Sequence, residues 1–121
     1  MSIFGRFFRK IKNRKTVEAR EPEQAVIVYL NSTDLPDSVY KEHDLFTLED
    51  KLIETIERDG LGEFDGNEMR PTETVLFMYG PDAERLFAGI EHILRQYPLC
   101  MGARVVIRRG GPGSKERVVR L

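Results

Sequence analysis

Two runs of consecutive apolar residues constrain the fold of this chain more than any other feature. The runs Ala25–Leu30 and Val75–Tyr79 are rich in β-branched and aromatic side chains, which is typical of strands at the centre of a sheet. Further along the chain, each run is followed by a segment whose apolar residues recur at helical spacing. The chain has 121 residues, the usual size of one domain. We therefore expect an α+β domain built around two central strands.

The other predicted elements give the order βαββαβ with one additional C-terminal strand. We predict a first helix with Thr47 as its N-cap and its end at Asp59-Gly60, and a second helix that opens at Gly80-Pro81-Asp82 and stops before Pro98. Further strands are predicted at Gly62–Met69, Ala103–Arg108 and Arg117–Leu121, and a loop at Asn31–Glu42. Because crossover connections are right-handed, this order favours a ferredoxin-like sandwich with strand order 4-1-3-2 and both helices on one face.

The N-terminal residues differ in composition from the rest of the chain. Residues 1–15 form a basic arm with six basic side chains and no acidic one, residues 16–24 are predicted to be a linker, and residues 25–121 the ferredoxin-like domain. The arm is predicted to be an amphipathic helix, with apolar Ile3, Phe4, Phe7, Phe8 and Ile11 on one side and Arg6, Arg9 and Lys10 among the basic residues on the other. Such a helix is suited to lying weakly in a membrane interface or to docking on its own acidic domain or on a partner protein.

Charge is unevenly distributed along the domain. Residues 34–91 hold sixteen acidic and five basic side chains, whereas residues 95–121 hold seven basic and one acidic. This asymmetry favours steering of a partner or self-association. The first fifteen residues lack the apolar core of a secretory signal, and the single cysteine, Cys100, fits a reducing compartment. We therefore expect a cytoplasmic protein, or one peripheral to the inner membrane surface.

The sheet is predicted to be apolar on both sides. An antiparallel sheet with helices on one face usually alternates apolar and polar residues, but both central strands are apolar at every position. If Val26, Val28, Leu30, Leu76 and Met78 point to the helices, the opposite face carries Ile27, Tyr29, Val75, Phe77, Tyr79, Arg104, Val106, Arg108, Glu63 and Asp65. We predict that this second face is a partner or dimer surface, because an exposed apolar patch of several hundred Å² seldom remains uncovered.

Three covers for this face are consistent with the sequence. A second copy of the chain related by a two-fold axis would bring the arginine edge of one sheet to the acidic edge of the other. The chain's own basic arm would also fit, and so would an outside ligand. A homodimer is the preferred interpretation.

Several motifs that suggest chemistry have simpler structural explanations. The acidic string from Asp59 to Glu68 lacks the spacing of a calcium loop and is predicted to be a helix end followed by a strand with a bulge or turn at Gly66. The glycine-rich segment Gly110–Ser114 lacks the Lys-Ser/Thr ending of a phosphate-binding loop and is predicted to be a hairpin turn. Neither His43 nor His92 has a second metal ligand at suitable spacing. We predict no cofactor, no metal site and no catalytic residues.

Nucleic-acid binding is disfavoured. An RNA-recognition module has this strand order and stacks bases on aromatic residues of its central strands, where Tyr29, Phe77 and Tyr79 lie. However, Thr74-Val75-Leu76 stands where that module has its Lys/Arg-Gly motif, and the acidic body of the domain would repel phosphates.

Two segments carry a resemblance to known proteins. The residues Gly62–Glu68 and Tyr79–Phe87 give the stretch from Leu48 to Leu121 a resemblance to small uncharacterised bacterial proteins of ferredoxin-like fold. The resemblance implies a fold and a bacterial origin, and it carries no activity and no catalytic residues.

The sequence leaves more than one function open. The leading hypothesis is a non-enzymatic interaction or regulatory domain that self-associates through the second sheet face. The alternatives are a small ferredoxin-like enzyme or ligand binder that uses a cleft between Tyr29, Phe77 and the Glu63/Asp65 edge, a membrane-surface protein anchored by residues 1–15, and an acidic decoy of a basic protein.

Overall fold

The computed structural model describes residues 23–121, which form a five-stranded antiparallel sheet, three α-helices and one turn of 3-10 helix. The strands are β1 (Gln24–Asn31), β2 (Glu63–Met69), β3 (Glu73–Gly80), β4 (Arg104–Arg108) and β5 (Glu116–Arg120). The helices are α1 (Asp37–Glu42), α2 (Leu45–Arg58) and α3 (Ala83–Gln96), and the 3-10 turn is Pro98–Cys100. The α+β class is confirmed. The predicted arm and residues 16–22 of the predicted linker lie outside the described residues.

The sheet has the strand order β2-β3-β1-β4-β5, and every neighbouring pair is antiparallel. The order of its first four strands agrees with the order predicted from the sequence and is consistent with a ferredoxin-like arrangement, while β5 extends the sheet beyond β4. Ile27 at the centre of β1 lies opposite Phe77 of β3 on one side and Val106 of β4 on the other. The two strands that are apolar at every position are therefore adjacent and interior.

The segment Asn31–Glu42 was predicted to be a loop, and this is wrong for its second half. Residues 37–42 form α1, which begins directly after Pro36 and has Asp37 in its first turn. Val39 is buried in the core, and the hydroxyl of Tyr40 donates to the carbonyl of Asn31 at 3.0 Å. The polar composition that suggested a loop is that of a helix start, and one buried valine anchors the short helix.

Helix α2 begins three residues earlier than predicted. Its N-cap is Asp44 rather than Thr47, and no side-chain bond caps it. Leu45 packs against the core one turn before Leu48, so the apolar stripe of the helix includes the additional turn. The hydroxyl of Tyr97 donates to the carbonyl oxygen of Asp44 at 2.7 Å and fixes the helix start. The predicted end is confirmed, because Asp59 is the C-cap and Gly60 has a φ of 63°.

Helix α3 is capped by a side chain. Asp82 is its N-cap, and Oδ1 of Asp82 accepts a hydrogen bond from the amide of Arg85 at 3.1 Å. Pro81 therefore precedes the cap instead of lying in the first helical turn as predicted. The helix ends at Gln96, before Pro98, as expected.

The main core lies between the sheet and the helices. It contains the predicted inward residues of both central strands together with the apolar stripes of α2 and α3, among them Leu48, Leu52, Leu86 and Ile90. On the sheet side it includes Val26, Val28, Leu30, Leu76 and Met78, which confirms the parity assigned to these residues. All buried apolar side chains of the three α-helices belong to this core.

Candidate interaction surface

A second, smaller cluster of apolar residues lies on the opposite side of the sheet. Its buried members are Ala25, Ile27, Val75 and Val106, and Tyr29, Phe77 and Tyr79 pack against them while partly exposed. We call these seven residues, with the polar residues of the same strand face, the helix-free face, because among residues 23–121 the buried apolar side chains of the α-helices lie on the other face. The strand alternation placed six of these seven residues on one face, all except Ala25.

The burial of this face differs from the prediction. The sequence suggested an exposed apolar patch, but Val75 is 0% exposed and Ile27 is 8% exposed, and only the three aromatic residues are half-buried. Tyr29 of β1 lies opposite Val75 of β3, and Phe77 of β3 lies opposite Ile27 of β1. Each aromatic ring therefore packs beside an aliphatic side chain and helps to bury it. The surface available to a partner therefore consists mainly of the rings of Tyr29, Phe77 and Tyr79.

One side of the helix-free face is basic. Arg104 and Arg108 of β4 lie opposite Tyr29 and Ala25 of β1, and both arginines are half-buried. The guanidinium carbon of Arg104 lies 4.0 Å from the centre of the Tyr29 ring, a cation–π contact. Nε of Arg108 donates to the carbonyl of Gly110 at 2.8 Å. Both cations are thus held against the sheet.

Strand β5 contributes to this basic side, which the sequence reasoning missed. Glu116, Val118 and Arg120 lie opposite Arg108, Val106 and Arg104 and so continue the helix-free face beyond β4. Val118 is 55% exposed. The sequence contained the information needed for this assignment, because side chains alternate between the two faces of a strand. Val119 and Leu121 pack against the main core, so Val118 and Arg120 belong to the other face.

The opposite side of the face is acidic, and a β-bulge sets its geometry. Glu63 lies opposite Tyr79, but the register shifts between Phe64 and Gly66, so that Gly66 lies opposite Phe77. Asp65 is the additional residue of this bulge and is buried, whereas the sequence predicted it to be exposed. Beyond the bulge, Glu68 lies opposite Val75 and joins Glu63 on the helix-free face. Glu68 was not among the predicted residues because the alternation cannot be followed through an unrecognised bulge.

The bulge also brings one polar pair into the helix side of the sheet. Asn67 lies opposite Leu76, on the side of the main core, and its amide donates to the carboxylate of Glu49 on α2. Glu49 is buried. This hydrogen bond joins the edge strand β2 to α2.

The motifs that suggested a metal, phosphate or catalytic site form ordinary turns and packing contacts in the structure. The string Asp59–Glu68 is a helix end followed by the bulged strand, and Gly110–Ser114 connects β4 to β5, with the amide of Ser114 donating to the carbonyl of Gly111 at 3.0 Å. The ring of His43 meets that of Tyr97 edge-on at 5.6 Å. Burial raises the pKa of the Cys100 thiol to about 12. Within residues 23–121, no group of three His, Cys, Asp or Glu side chains is placed to hold a metal ion.

Three cavities of the described domain lie away from the centre of the helix-free face. The first, of about 400 Å³, lies between α2 and α3 and includes His92; the second, of about 240 Å³, is lined by Tyr40, His43 and Thr74. The third, of about 450 Å³, lies at the end of the sheet beside Tyr29 and Arg104. None of these three cavities includes Phe77, Glu63 or Asp65, so none matches the cleft proposed for an enzyme or ligand binder.

Ion pairs join the hairpin of β4 and β5 to α3. Oε1 of Glu84 accepts from Nη2 of Arg117 at 2.7 Å, and Oε2 accepts from Nε of Arg117 at 3.0 Å and from Nη2 of Arg109 at 3.1 Å. These guanidinium groups lower the pKa of Glu84 from 4.5 to about 2, with the Arg117 hydrogen bonds as the largest cause. The basic side of the helix-free face is therefore anchored to the helical layer.

No helix within residues 23–121 has the length and apolar character that crossing a bilayer requires.

Comparisons with protein-family models, with curated proteins and with solved structures found no match to this chain. The resemblance to small bacterial proteins of ferredoxin-like fold stays a prediction.

Proposed function

We propose that this chain is a non-enzymatic interaction domain of ferredoxin-like fold, acting in the cytoplasm, that self-associates through its helix-free face. The observation that supports the proposal most directly is the composition of this face. Three half-buried aromatic rings occupy its middle, two arginines lie on one side and two glutamates on the other. Aromatic residues and arginine are enriched at protein interfaces.

The strand registers make this face complementary to itself. A two-fold axis that runs parallel to the strands, between β1 and β3, places β4 of one copy over β2 of the other. Arg108 and Glu63 both lie at the level of Tyr79, and Arg104 and Glu68 both lie at the level of Val75. The same axis therefore brings Arg108 over Glu63 and Arg104 over Glu68 of the second copy, while Phe77 meets Ile27. A two-fold interface forms each of these contacts twice.

The size of the face indicates a weak, concentration-dependent dimer. Four strands about 4.8 Å apart and five to eight residues long cover roughly 450 Å² in projection. Stable complexes bury about 800 Å² on each partner. Because Val75 and Ile27 are already buried, the gain comes mainly from the aromatic rings and the ion pairs.

The direct test is the solution mass of the wild type and of Phe77→Glu, measured by sedimentation over a wide range of concentration. We expect the wild-type mass to rise towards that of a dimer with concentration, and Phe77→Glu to stay monomeric because its carboxylate would be buried against apolar groups. Met101→Glu is the matched control, since Met101 is 52% exposed and lies outside the face. A monomeric wild type at the highest concentration reached would contradict the proposal.

A further inference from the structure

Within residues 23–121, no buried apolar side chain of an α-helix lies over the apolar centre of the helix-free face. Side chains of a strand stand roughly perpendicular to the sheet, so neighbours in the same sheet cover their flanks and leave their tips open. On this face the rings of Tyr29, Phe77 and Tyr79 pack against the buried aliphatic residues and stay half-buried themselves. Within residues 23–121, the buried apolar side chains of the α-helices all belong to the core on the opposite face. The half-buried rings of Tyr29, Phe77 and Tyr79 are therefore left for a partner, or for a segment outside this range, to cover.

The chain outside the described range has the length to reach this face. Twenty-two residues precede Glu23, and they join the sheet at Gln24, the first residue of the central strand β1. Residues 16–22 span up to about 24 Å when extended, which lets the chain turn back at the end of the sheet. A helix of residues 1–15 would be about 22 Å long, close to the roughly 26 Å of an eight-residue strand.

The composition of the arm is complementary to the face. Its apolar residues at helical spacing, Phe4, Phe7, Phe8 and Ile11, match the aromatic rings at the middle of the face. Its six basic side chains, with no acidic one, match the glutamates along β2. The same segment would be repelled by a second basic surface, so its cationic side is expected towards β2 rather than towards β4.

From apolar composition, length and charge together, we infer that residues 1–15 dock as an amphipathic helix on the helix-free face of their own chain. This inference rests on the proposed function in one respect: the arm occupies the same face as a second copy and so limits self-association. Both copies must release their arms before the faces meet. If the face is open one-tenth of the time, the apparent dissociation constant of the dimer rises by roughly 100-fold.

Docking can be measured in the full chain with a spin label. Gly5→Cys places a nitroxide on the arm, and the buried Cys100 with its raised pKa reacts slowly enough to leave position 5 as the labelled site. At a concentration where the chain is monomeric, we expect the methyl signals of Val75 to be broadened far more than those of Leu52 on α2. A label at Lys51→Cys, exposed on the outer side of α2, is the control and should reverse this order.

The alternatives give different outcomes. Equal broadening of Val75 and Leu52 by the label at position 5 would overturn the inference. Broadening that appears only when labelled chains are mixed with unlabelled, isotopically enriched ones would overturn it in favour of an arm that docks on a second copy. Co-sedimentation with vesicles of anionic phospholipid, together with no selective broadening, would overturn it in favour of a membrane anchor.

A polar arm separates this inference from the proposed function. We expect the full chain carrying Phe4→Ser, Phe7→Ser and Phe8→Ser to lose the selective broadening and to dimerise at a lower concentration than the wild type. Val17→Ser, outside the arm, is the control and should change neither. If the broadening is lost but both proteins stay monomeric at every concentration, arm docking stands and self-association through this face fails. If the variant and the wild type dimerise equally, control of self-association by the arm is wrong.

Discussion

Arg104 lies over the ring of Tyr29, with 4.0 Å between its guanidinium carbon and the ring centre, on the face of the sheet opposite the helices. The contact joins neighbouring strands, because Arg104 of β4 is the register partner of Tyr29 of β1. It holds one cation of the basic side against the aromatic middle of the helix-free face. A cation held in this way keeps its charge accessible to a partner while its alkyl chain covers apolar surface.

The two-fold arrangement predicts that Arg104 of one copy pairs with Glu68 of the other, and exchanging the two charges tests this pair. Arg104→Glu alone and Glu68→Arg alone should each weaken the dimer by roughly 3- to 10-fold, because each places like charges opposite each other. The double variant should recover most of the loss, since opposite charges again face each other across the axis. Sedimentation of the four proteins at low and high salt measures this. Additive losses in the double variant would rule out this pairing.

The main core predicts a large cost for truncation on the helix side. Leu52 of α2 is fully buried between the sheet and α3, so Leu52→Ala should lower the free energy of unfolding by about 2–5 kcal/mol. Met101→Ala, at a half-exposed turn position, should change it by less than about 0.5 kcal/mol. Urea denaturation monitored by circular dichroism gives both values. A cost at Leu52 no larger than that at Met101 would contradict the described core.

The face assignments could be predicted from the sequence because strand alternation is a local property. Once Val26 was assigned to the helix side, the period of two placed Ile27 and Tyr29 on the other face, and antiparallel pairing did the same for Phe77. The end of α2 was predictable for a similar reason, since Gly60 adopts the left-handed conformation that glycine accepts without a steric penalty.

The edges of the sheet could not be predicted in the same way. The bulge at Asp65 changes which later residues of β2 share the helix-free face, and it depends on pairing with β3 rather than on β2 alone. The start of α2 depends on a hydrogen bond from Tyr97, which is fifty-three residues away in the sequence. Burial of Val75 depends on the aromatic side chains that pack beside it, among them one on the neighbouring strand, which the pattern of β3 alone does not contain.

The ion pairs of Glu84 predict a pH dependence of stability. Because Arg117 and Arg109 lower the pKa of Glu84 to about 2, the folded chain holds this carboxylate ionised more strongly than the unfolded chain does. The stabilisation is complete above the unfolded pKa near 4.5 and is lost as the pH falls through about 2. The side chain is 34% exposed, so solvent screening limits the effect to about 1 kcal/mol.

Glu84→Gln tests this directly. The variant should be less stable than the wild type at pH 7, and the difference should shrink as the pH is lowered towards 2. Glu91→Gln removes a single exposed pair with Arg95 within α3 and serves as the control, with a smaller loss at pH 7. Thermal unfolding at a series of pH values measures both. A Glu84→Gln difference that stays constant from pH 7 to pH 2 would be inconsistent with the lowered pKa.

The single cysteine predicts a slow reaction with alkylating reagents. Cys100 lies in the 3-10 turn after α3 and is buried in the main core, and this burial raises the pKa of its thiol to about 12. The thiolate is the reactive species, so at pH 8 the folded chain should react roughly 1000-fold more slowly than the unfolded chain, whose thiol has a pKa of about 8.5. Mass spectrometry after timed exposure to iodoacetamide, with and without urea, gives the two rates.

Lys115→Cys, exposed in the hairpin between β4 and β5, is the control and should be modified rapidly in the folded chain. Equal rates at positions 100 and 115 in one folded sample would show that the core opens at Cys100 faster than the reagent reacts.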